Sequence, residues 1–306
     1  MTTRNLDALF EPRAIALIGA SNRPGSVGSV LARNLLESGF AGPVLPVNPH
    51  EGAIRSAMAY ASVADLPVAP DLAVIATPAP TIPGLIAELG QRGCRAAVVI
   101  STGFGADAGE DGPRLKTEML QAAKPHLLRI IGPNCLGFIS PAHGINASFA
   151  HLTPAAGRIA LVAQSGAVAA AAIDWAHAQG IGFSHIVTIG DAADVDFGDL
   201  LDYLALDAAT HAILLYVESI RDARKFMTAA RIASRNKPVV VVKTGRSAAG
   251  AKAAFSHTGA LAGSDAVYDA AFRRAGLLRV GELRELFEAV QTLGAGLTAR
   301  GDRLAI

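Results

Sequence analysis

Ala14-Ile15-Ala16-Leu17-Ile18 runs directly into Gly19-Ala20-Ser21-Asn22-Arg23-Pro24-Gly25-Ser26-Val27-Gly28. The first five residues are uniformly apolar and read as a buried strand. The ten that follow are a glycine-rich turn, and from about residue 27 to residue 38 the pattern is helical, with Gly39 placed to end it. Strand, glycine-rich turn and helix, in that order, form the phosphate-binding arrangement of a doubly wound parallel sheet. Outward from this unit the alternation continues. A short helix is expected over 5–10, strands over 44–47, 71–76, 96–100 and 127–131, and helices over 81–92 and 112–123.

The turn is longer than a compact dinucleotide loop and contains Pro24-Gly25. A nicotinamide-binding sheet places Asp or Glu at the end of its second strand to hold the ribose hydroxyls, whereas this chain has Asn48-Pro49 there. Nicotinamide is therefore disfavoured, and a phosphorylated ribose is tolerated. Any one of these glycines has a bland explanation in strand-to-helix packing. The set is more telling, because Ser21, Gly25, Asn48, Thr77-Pro78, Ser101-Thr102-Gly103 and Asn134 all fall at carboxyl ends of expected strands, where open α/β sheets bind ligands.

After a polar, turn-rich connection over 143–154 the pattern restarts with a strand over 158–163 leading into Gln164-Ser165-Gly166-Ala167. An Ala-rich helix follows to about residue 179, and its first-turn amides offer an anion site without a charged side chain. Strands are expected over 184–189, 212–217, 238–243 and 277–280, and helices over 197–206, 222–235, 265–275 and 283–297. Between them lies Ala253-Ala254-Phe255-Ser256-His257-Thr258-Gly259-Ala260-Leu261-Ala262-Gly263, one imidazole among small and hydroxyl residues. A lone histidine in a polar loop is usually just solvated. Here the Ser165-Gly166 turn and the acid Glu218 at a strand end favour a histidine that carries a phosphoryl group.

Other chemistries fit poorly. There is no Gly-x-x-x-x-Gly-Lys-Ser/Thr loop for ATP, and Gln164-Ser165-Gly166-Ala167 lacks the flanking glycine of a nucleophile elbow. Asp191, Asp194, Asp196 and Asp199 suggest a cation site, but at a helix start Asp196 and Asp199 are better read as caps. A formal charge of +1 over 306 residues gives no electrostatic case for nucleic acid or an anionic membrane. Cys94 and Cys135 lie in different segments, so cysteine supplies neither a disulfide framework nor a metal set. With no apolar leader and no apolar run of bilayer length, a reducing, cytoplasmic setting is expected.

Gly19-Ala20-Ser21 with Pro24-Gly25-Ser26-Val27-Gly28, Pro46-Val47-Asn48-Pro49, Gly132-Pro133-Asn134-Cys135-Leu136-Gly137, Gln164-Ser165-Gly166-Ala167, Tyr216-Val217-Glu218-Ser219 and Ser256-His257-Thr258-Gly259-Ala260-Leu261-Ala262-Gly263 occur in this order. Together they resemble the NDP-forming acyl-CoA synthetases, the superfamily that includes succinyl-CoA synthetase and ADP-forming acetyl-CoA synthetase. The resemblance covers essentially the whole chain. It implies a CoA-binding Rossmann-like domain over 1–137, a flavodoxin-like phosphohistidine domain over 138–298, and the start of a truncated third domain over 299–306. It implies the interconversion of acyl-CoA, phosphate and ADP with carboxylic acid, CoA and ATP through an acyl phosphate and a phosphohistidine.

On the same basis His257 carries the phosphoryl group and Glu218 orients it, although a strand-end acid can equally cap a neighbouring helix. Ser165, Gly166, Ala167, Thr258 and Gly259 hold phosphate. Ser21, Gly25, Val27, Gly28, Asn48, Thr77, Pro78 and Asn134 line the coenzyme A site, and Cys135 packs beside the ligand. No resident metal is expected in the chain itself. ATP or ADP with Mg²⁺ comes through an ATP-grasp domain or subunit outside the chain, and an oligomer is expected. Two features depart from the family pattern: Asp191 after Gly190, which adds a negative charge near the phosphate path, and Ile54-Arg55-Ser56-Ala57-Met58-Ala59 where a glycine-containing turn is usual. The alternative reading is a CoA- or acyl-CoA-sensing module fused to an N-acetyltransferase; keeping both His257 and Glu218 argues against it.

Overall fold

The computed structural model describes residues 3–105, 108–246 and 264–294. Helix α1 (Asp7–Phe10) precedes β1 (Ile15–Ile18), α2 (Val27–Glu37) and β2 (Val44–Val47). A small antiparallel hairpin, β3 (Ala53–Ile54) and β4 (Ala57–Met58), turns at Arg55 and Ser56, both with positive φ. The turn reached without the usual glycine is thus made by two residues held in a conformation that glycine adopts more readily. Then come β5 (Leu72–Ile75), α3 (Ile82–Gln91), β6 (Ala96–Val99), α4 (Asp111–Ala123) and β7 (Arg129–Ile131).

These strands form a five-stranded sheet in the order β2-β1-β5-β6-β7, parallel throughout. Strands β1, β5 and β6 are buried at every position, the consequence of helices on both faces, and this is why they read as unbroken apolar runs. The order reverses between β1 and β5. Their carboxyl ends therefore frame the crevice in which such sheets take a ligand.

The second sheet is built from β8 (Gly137–Ser140), β9 (Ile145–Ser148), β10 (Ala156–Ala163), β11 (Phe183–Thr188), β12 (Ala212–Val217), β13 (Val239–Lys243) and β14 (Leu278–Val280). Its order is β14-β13-β12-β10-β11-β8-β9. All pairs are parallel except β11 with β8 and β8 with β9. Helices α5 (Gly166–Ala178), α6 (Phe197–Leu206), α7 (Ala223–Asn236), α8 (Asp265–Ala275) and α9 (Leu283–Gly294) complete the described chain.

Strand β9 lies inside the stretch expected to be a turn-rich connection. Its polarity is misleading, because Asn146 and Ser148 are buried and satisfy each other: Ser148 Oγ donates to Asn146 Oδ1 at 2.6 Å, and Asn146 Nδ2 donates to Thr153 Oγ1 at 2.8 Å. The β8–β9 hairpin brings the two sheets together. Asn34 of α2, only 7% exposed, donates through Nδ2 to the carbonyls of Ser148 and Ala150, both at 2.8 Å. The helix that opens at the ligand crevice of the first sheet is thereby fastened to the edge of the second.

Candidate functional site

The first rim is the carboxyl edge of the five-stranded sheet. Gly19 turns the chain out of β1 with φ +88°, and a Cβ there would sit 2.7 Å from the Ala76 carbonyl oxygen. Gly28 in the first turn of α2 is more confined, since a Cβ would lie 2.0 Å from the Gly19 carbonyl oxygen. Both glycines are thus required by close packing. Gly25 differs, for its φ is +74° and nothing lies within 4 Å, so it serves the shape of an open turn.

Around this turn Gly25, Val27, Pro78 and Asn134 are exposed, and Ser21, Asn48 and Thr77 are partly so. Ser26 caps α2 by accepting from Ser29 N, which leaves first-turn amides without carbonyls of their own to bond. Asn48 holds the turn in place: Nδ2 donates to the Ala20 carbonyl at 2.7 Å, while Oδ1 accepts from His50 N at 2.8 Å. Thr77 Oγ1 lies 2.9 Å from Thr81 Oγ1, and Ser101 Oγ donates to the Thr77 carbonyl at 2.6 Å. Exposed and part-exposed hydroxyl, amide and small apolar groups thus gather beside a helix N-terminus, whose free amides suit a phosphate-bearing ligand. Cys135 and Cys94 are buried, and burial pushes both thiols up to about 12, so neither is a nucleophile in the folded chain.

The second rim is the carboxyl edge of the seven-stranded sheet. Ser165 is the N-cap of α5, and its Oγ accepts from Val168 N at 3.4 Å. Gly166 and Ala167 occupy the first helical turn, where the amides are oriented outward along the helix axis. Strand β12 lies beside β10, with Ala163 opposite Tyr216, so Glu218 emerges next to the Ser165 turn. The two are tied by one side chain: Gln164 Oε1 accepts from Glu218 N at 2.6 Å and from Ser219 N at 2.8 Å. Strand β13 lies on the other side of β12 and pairs Val217 with Lys243. The described chain stops three residues later, at Arg246, and resumes at Ser264. His257, Thr258 and Gly259 therefore lie outside the described residues, as does the 299–306 stretch read as the start of a third domain.

The two rims meet. A Cβ on Gly166 would come within 3.1 Å of Leu136 Cβ, and one on Gly190 within 2.2 Å of the Asn134 carbonyl oxygen. The turn that presents Asn134 to the first crevice thus packs against the start of α5. Asp191 reaches the same corner; its Oδ1 accepts from Asn134 Nδ2 at 3.3 Å and its Oδ2 lies 3.9 Å from Lys116 Nζ. A neighbouring cation accordingly faces the extra charge noted in the sequence.

The remaining acids are engaged within the protein. Asp194 Oδ2 accepts from Arg129 Nε at 2.9 Å and from Ile130 N at 2.8 Å. Asp196 and Asp199 form a reciprocal capping box at the start of α6. Asp199 also accepts from Lys225 Nζ at 2.6 Å and lies 3.1 Å from Arg129 Nη2. Beside Gln164, the starts of α6 and α7 leave a water-sized cavity of ≈ 20 Å³ lined in part by Asp196, Ser219 and Arg221.

Sequence reading names Gln164 without giving it a role, and it passes over Lys243. Lys243 is 3% exposed, with Nζ 4.6 Å from the Tyr268 ring centroid, and burial lowers its pKa. A single charge closing the run Val239-Val240-Val241-Val242 is the signal available for it.

Two family models match the chain: a CoA binding domain over residues 13–141 and a succinyl-CoA ligase-like flavodoxin domain over residues 156–293. The alpha subunit of acetate–CoA ligase [ADP-forming] I from Pyrococcus furiosus is 41% identical over 99% of this chain and 66% of its own length. Acetate–CoA ligase [ADP-forming] I of Archaeoglobus fulgidus is 44% identical over 92% of this chain and 41% of its own length. Among solved structures, an acetyl-coenzyme A synthetase of Candidatus Korarchaeum cryptofilum, in complex with phosphate and ADP, superposes with a TM-score of 0.90. It is 37% identical, over 94% of this chain and 62% of that one. The chain thus spans less than two thirds of the length of each of these relatives. With both domain models matched in order and relatives alike across nearly its whole length, the chain belongs to the NDP-forming acyl-CoA synthetase superfamily.

Proposed function

We propose that this chain is the CoA-binding and histidine-phosphorylating part of an ADP-forming acyl-CoA synthetase, acting in the cytoplasm with an ATP-grasp domain or subunit that supplies ADP or ATP and Mg²⁺. Residues 1–137 form the CoA-binding unit and 138–298 the phosphohistidine unit, a division that follows the change of sheet. One observation carries the reading. The bare first-turn amides of α5 and the acid Glu218 leave adjacent parallel strands, against the turn that presents Asn134 to the CoA-type crevice.

The crevice residues Ser21, Gly25, Val27, Gly28, Asn48, Thr77, Pro78 and Asn134 hold an acyl-CoA with its thioester toward the second rim. The amides of Ser165, Gly166 and Ala167, joined by Thr258 and Gly259, hold inorganic phosphate. A phosphate oxygen attacks the acyl carbon, the carbon–sulfur bond breaks, and CoA leaves as a thiolate that takes a proton from solvent. The neutral imidazole of His257 then attacks phosphorus, the bond from phosphorus to the acyl oxygen breaks, and the acid leaves as carboxylate. Glu218 accepts the hydrogen bond of the other ring nitrogen and stabilises the charge that develops. Preorganised amides of this kind each contribute on the order of 10²–10³ in rate.

The test is phosphoenzyme formation by the complete enzyme with acetyl-CoA, labelled inorganic phosphate and Mg²⁺, acetyl-CoA being chosen from the names of the relatives. An acid-labile, base-stable phosphoprotein that disappears in His257→Ala supports the reading. Labelling that persists in His257→Ala, or its absence in wild type with a panel of short acyl-CoAs, refutes it.

A further inference from the structure

The side chain that links the two halves of the phosphate rim belongs to neither. Strand β12 ends at Val217, and beyond it the Glu218 and Ser219 amides have left the ladder. A single oxygen, Gln164 Oε1, accepts from both, at 2.6 and 2.8 Å. The same side chain offers Nε2 to Ser219 Oγ at 3.4 Å, and the Gln164 backbone N donates to the Tyr216 carbonyl at 3.2 Å. The residue immediately before Ser165 is therefore bonded to the backbone on both sides of Val217. An oxygen that receives two consecutive amides fixes the direction of the chain there, because both N–H vectors must converge on one point. The β10–β12 ladder brings the two ends together as far as Tyr216, and beyond it one glutamine side chain holds Glu218 relative to the Ser165-Gly166 amides.

We propose, resting on the function proposed above, that Gln164 is a positioning residue: it sets Glu218 against the first turn of α5 at the spacing that phosphoryl transfer requires. A side chain one methylene shorter does not reach both amides. Glutamate reaches them and accepts equally well, but it adds a negative charge where phosphate must bind.

Phosphoenzyme formation from acetyl-CoA and inorganic phosphate by the complete enzyme tests this. Gln164→Ala is expected to lower the rate at saturating phosphate on the order of 10- to 100-fold, the usual consequence of a reacting group displaced by about 1 Å, with the half-saturating phosphate concentration changed by less than about threefold. Gln164→Glu is expected to recover the rate while raising the phosphate requirement.

The deciding measurement is a double-mutant cycle. If Gln164 acts through Glu218, then Gln164→Ala adds less than about threefold to the loss already caused by Glu218→Gln. A full-sized additional loss in that background, or a Gln164→Ala enzyme as fast as wild type, overturns the proposal and leaves the assigned reaction standing. A wild-type enzyme that forms no phosphoenzyme overturns the assigned reaction and, with it, this role for Gln164.

Discussion

Replacing Gly28 by alanine tests whether the first crevice depends on contact between α2 and the Gly19 turn. The new Cβ would lie 2.0 Å from the Gly19 carbonyl oxygen, where ordinary contact begins at 3.4 Å. The obstacle is backbone, so no rotamer relieves it, and the start of α2 must withdraw by more than 1 Å. Withdrawal is itself opposed, because Asn34 on the same helix is bonded to the Ser148 and Ala150 carbonyls. Overpacking of this kind costs ~1–3 kcal/mol, and with the helix held at both ends we expect the upper figure. At ~2–4 °C per kcal/mol that corresponds to a fall in Tm of roughly 6–12 °C. The first-turn amides move with the helix, so affinity for CoA is expected to fall by at least about tenfold.

Gly25→Ala is the control for stability alone, because Gly25 itself belongs to the proposed CoA crevice. Its φ of +74° makes a side chain costly by ~1–2 kcal/mol, yet nothing within 4 Å obstructs it and the helix stays in place. Circular dichroism melts and calorimetric titration with CoA read both quantities. A Gly28→Ala protein with wild-type Tm and CoA affinity would refute the packing argument, as would a larger fall in Tm in Gly25→Ala.

Two further outcomes concern stability. Asp199 has no solvent exposure and bridges Arg129 and Lys225, which are also paired with Asp194 and Asp196, so Asp199→Asn removes the one fully buried carboxylate that the two cations share. It is expected to cost ~3 kcal/mol, read as a lower urea midpoint with an unchanged slope; an unchanged midpoint would show the network to be dispensable. Burial raises the Asp71 carboxyl, but hydrogen bonds from Arg13 and Arg95 outweigh it and hold the group at about 2, below its ordinary 3.8. A depressed folded-state value means stability that is complete above about pH 4 and is lost as pH falls toward 2. The difference in urea midpoint between wild type and Asp71→Asn should therefore shrink over that interval, and a difference independent of pH would refute the assignment.

Much of the fold is legible in the sequence because parallel strands covered on both faces must be apolar throughout and must end in turns. Helix α6, strand β12 and helix α8 appear at the expected residues for this reason. The β8–β9 hairpin is not legible. Its Asn146 and Ser148 look like surface residues until their partners are known, and those partners include Thr153 and, across the two sheets, Asn34. The candidate site divides in the same way. Ser165 and Glu218 can be marked as strand-end residues from the pattern alone, but that they are neighbours depends on β10 and β12 being adjacent in the sheet although α5, β11 and α6 lie between them in the chain.

By itself the sequence determined which segments are strands and helices, which of their ends carry glycine, serine and acid, and which superfamily they resemble, since each of these is a property of neighbouring residues. Only the tertiary structure decided that Gln164 spans the gap to Glu218, that Leu136 packs on Gly166, and that Asn34 ties α2 to the second sheet. Those contacts join residues distant in the chain, and the order of strands in the folded sheets brings them within reach.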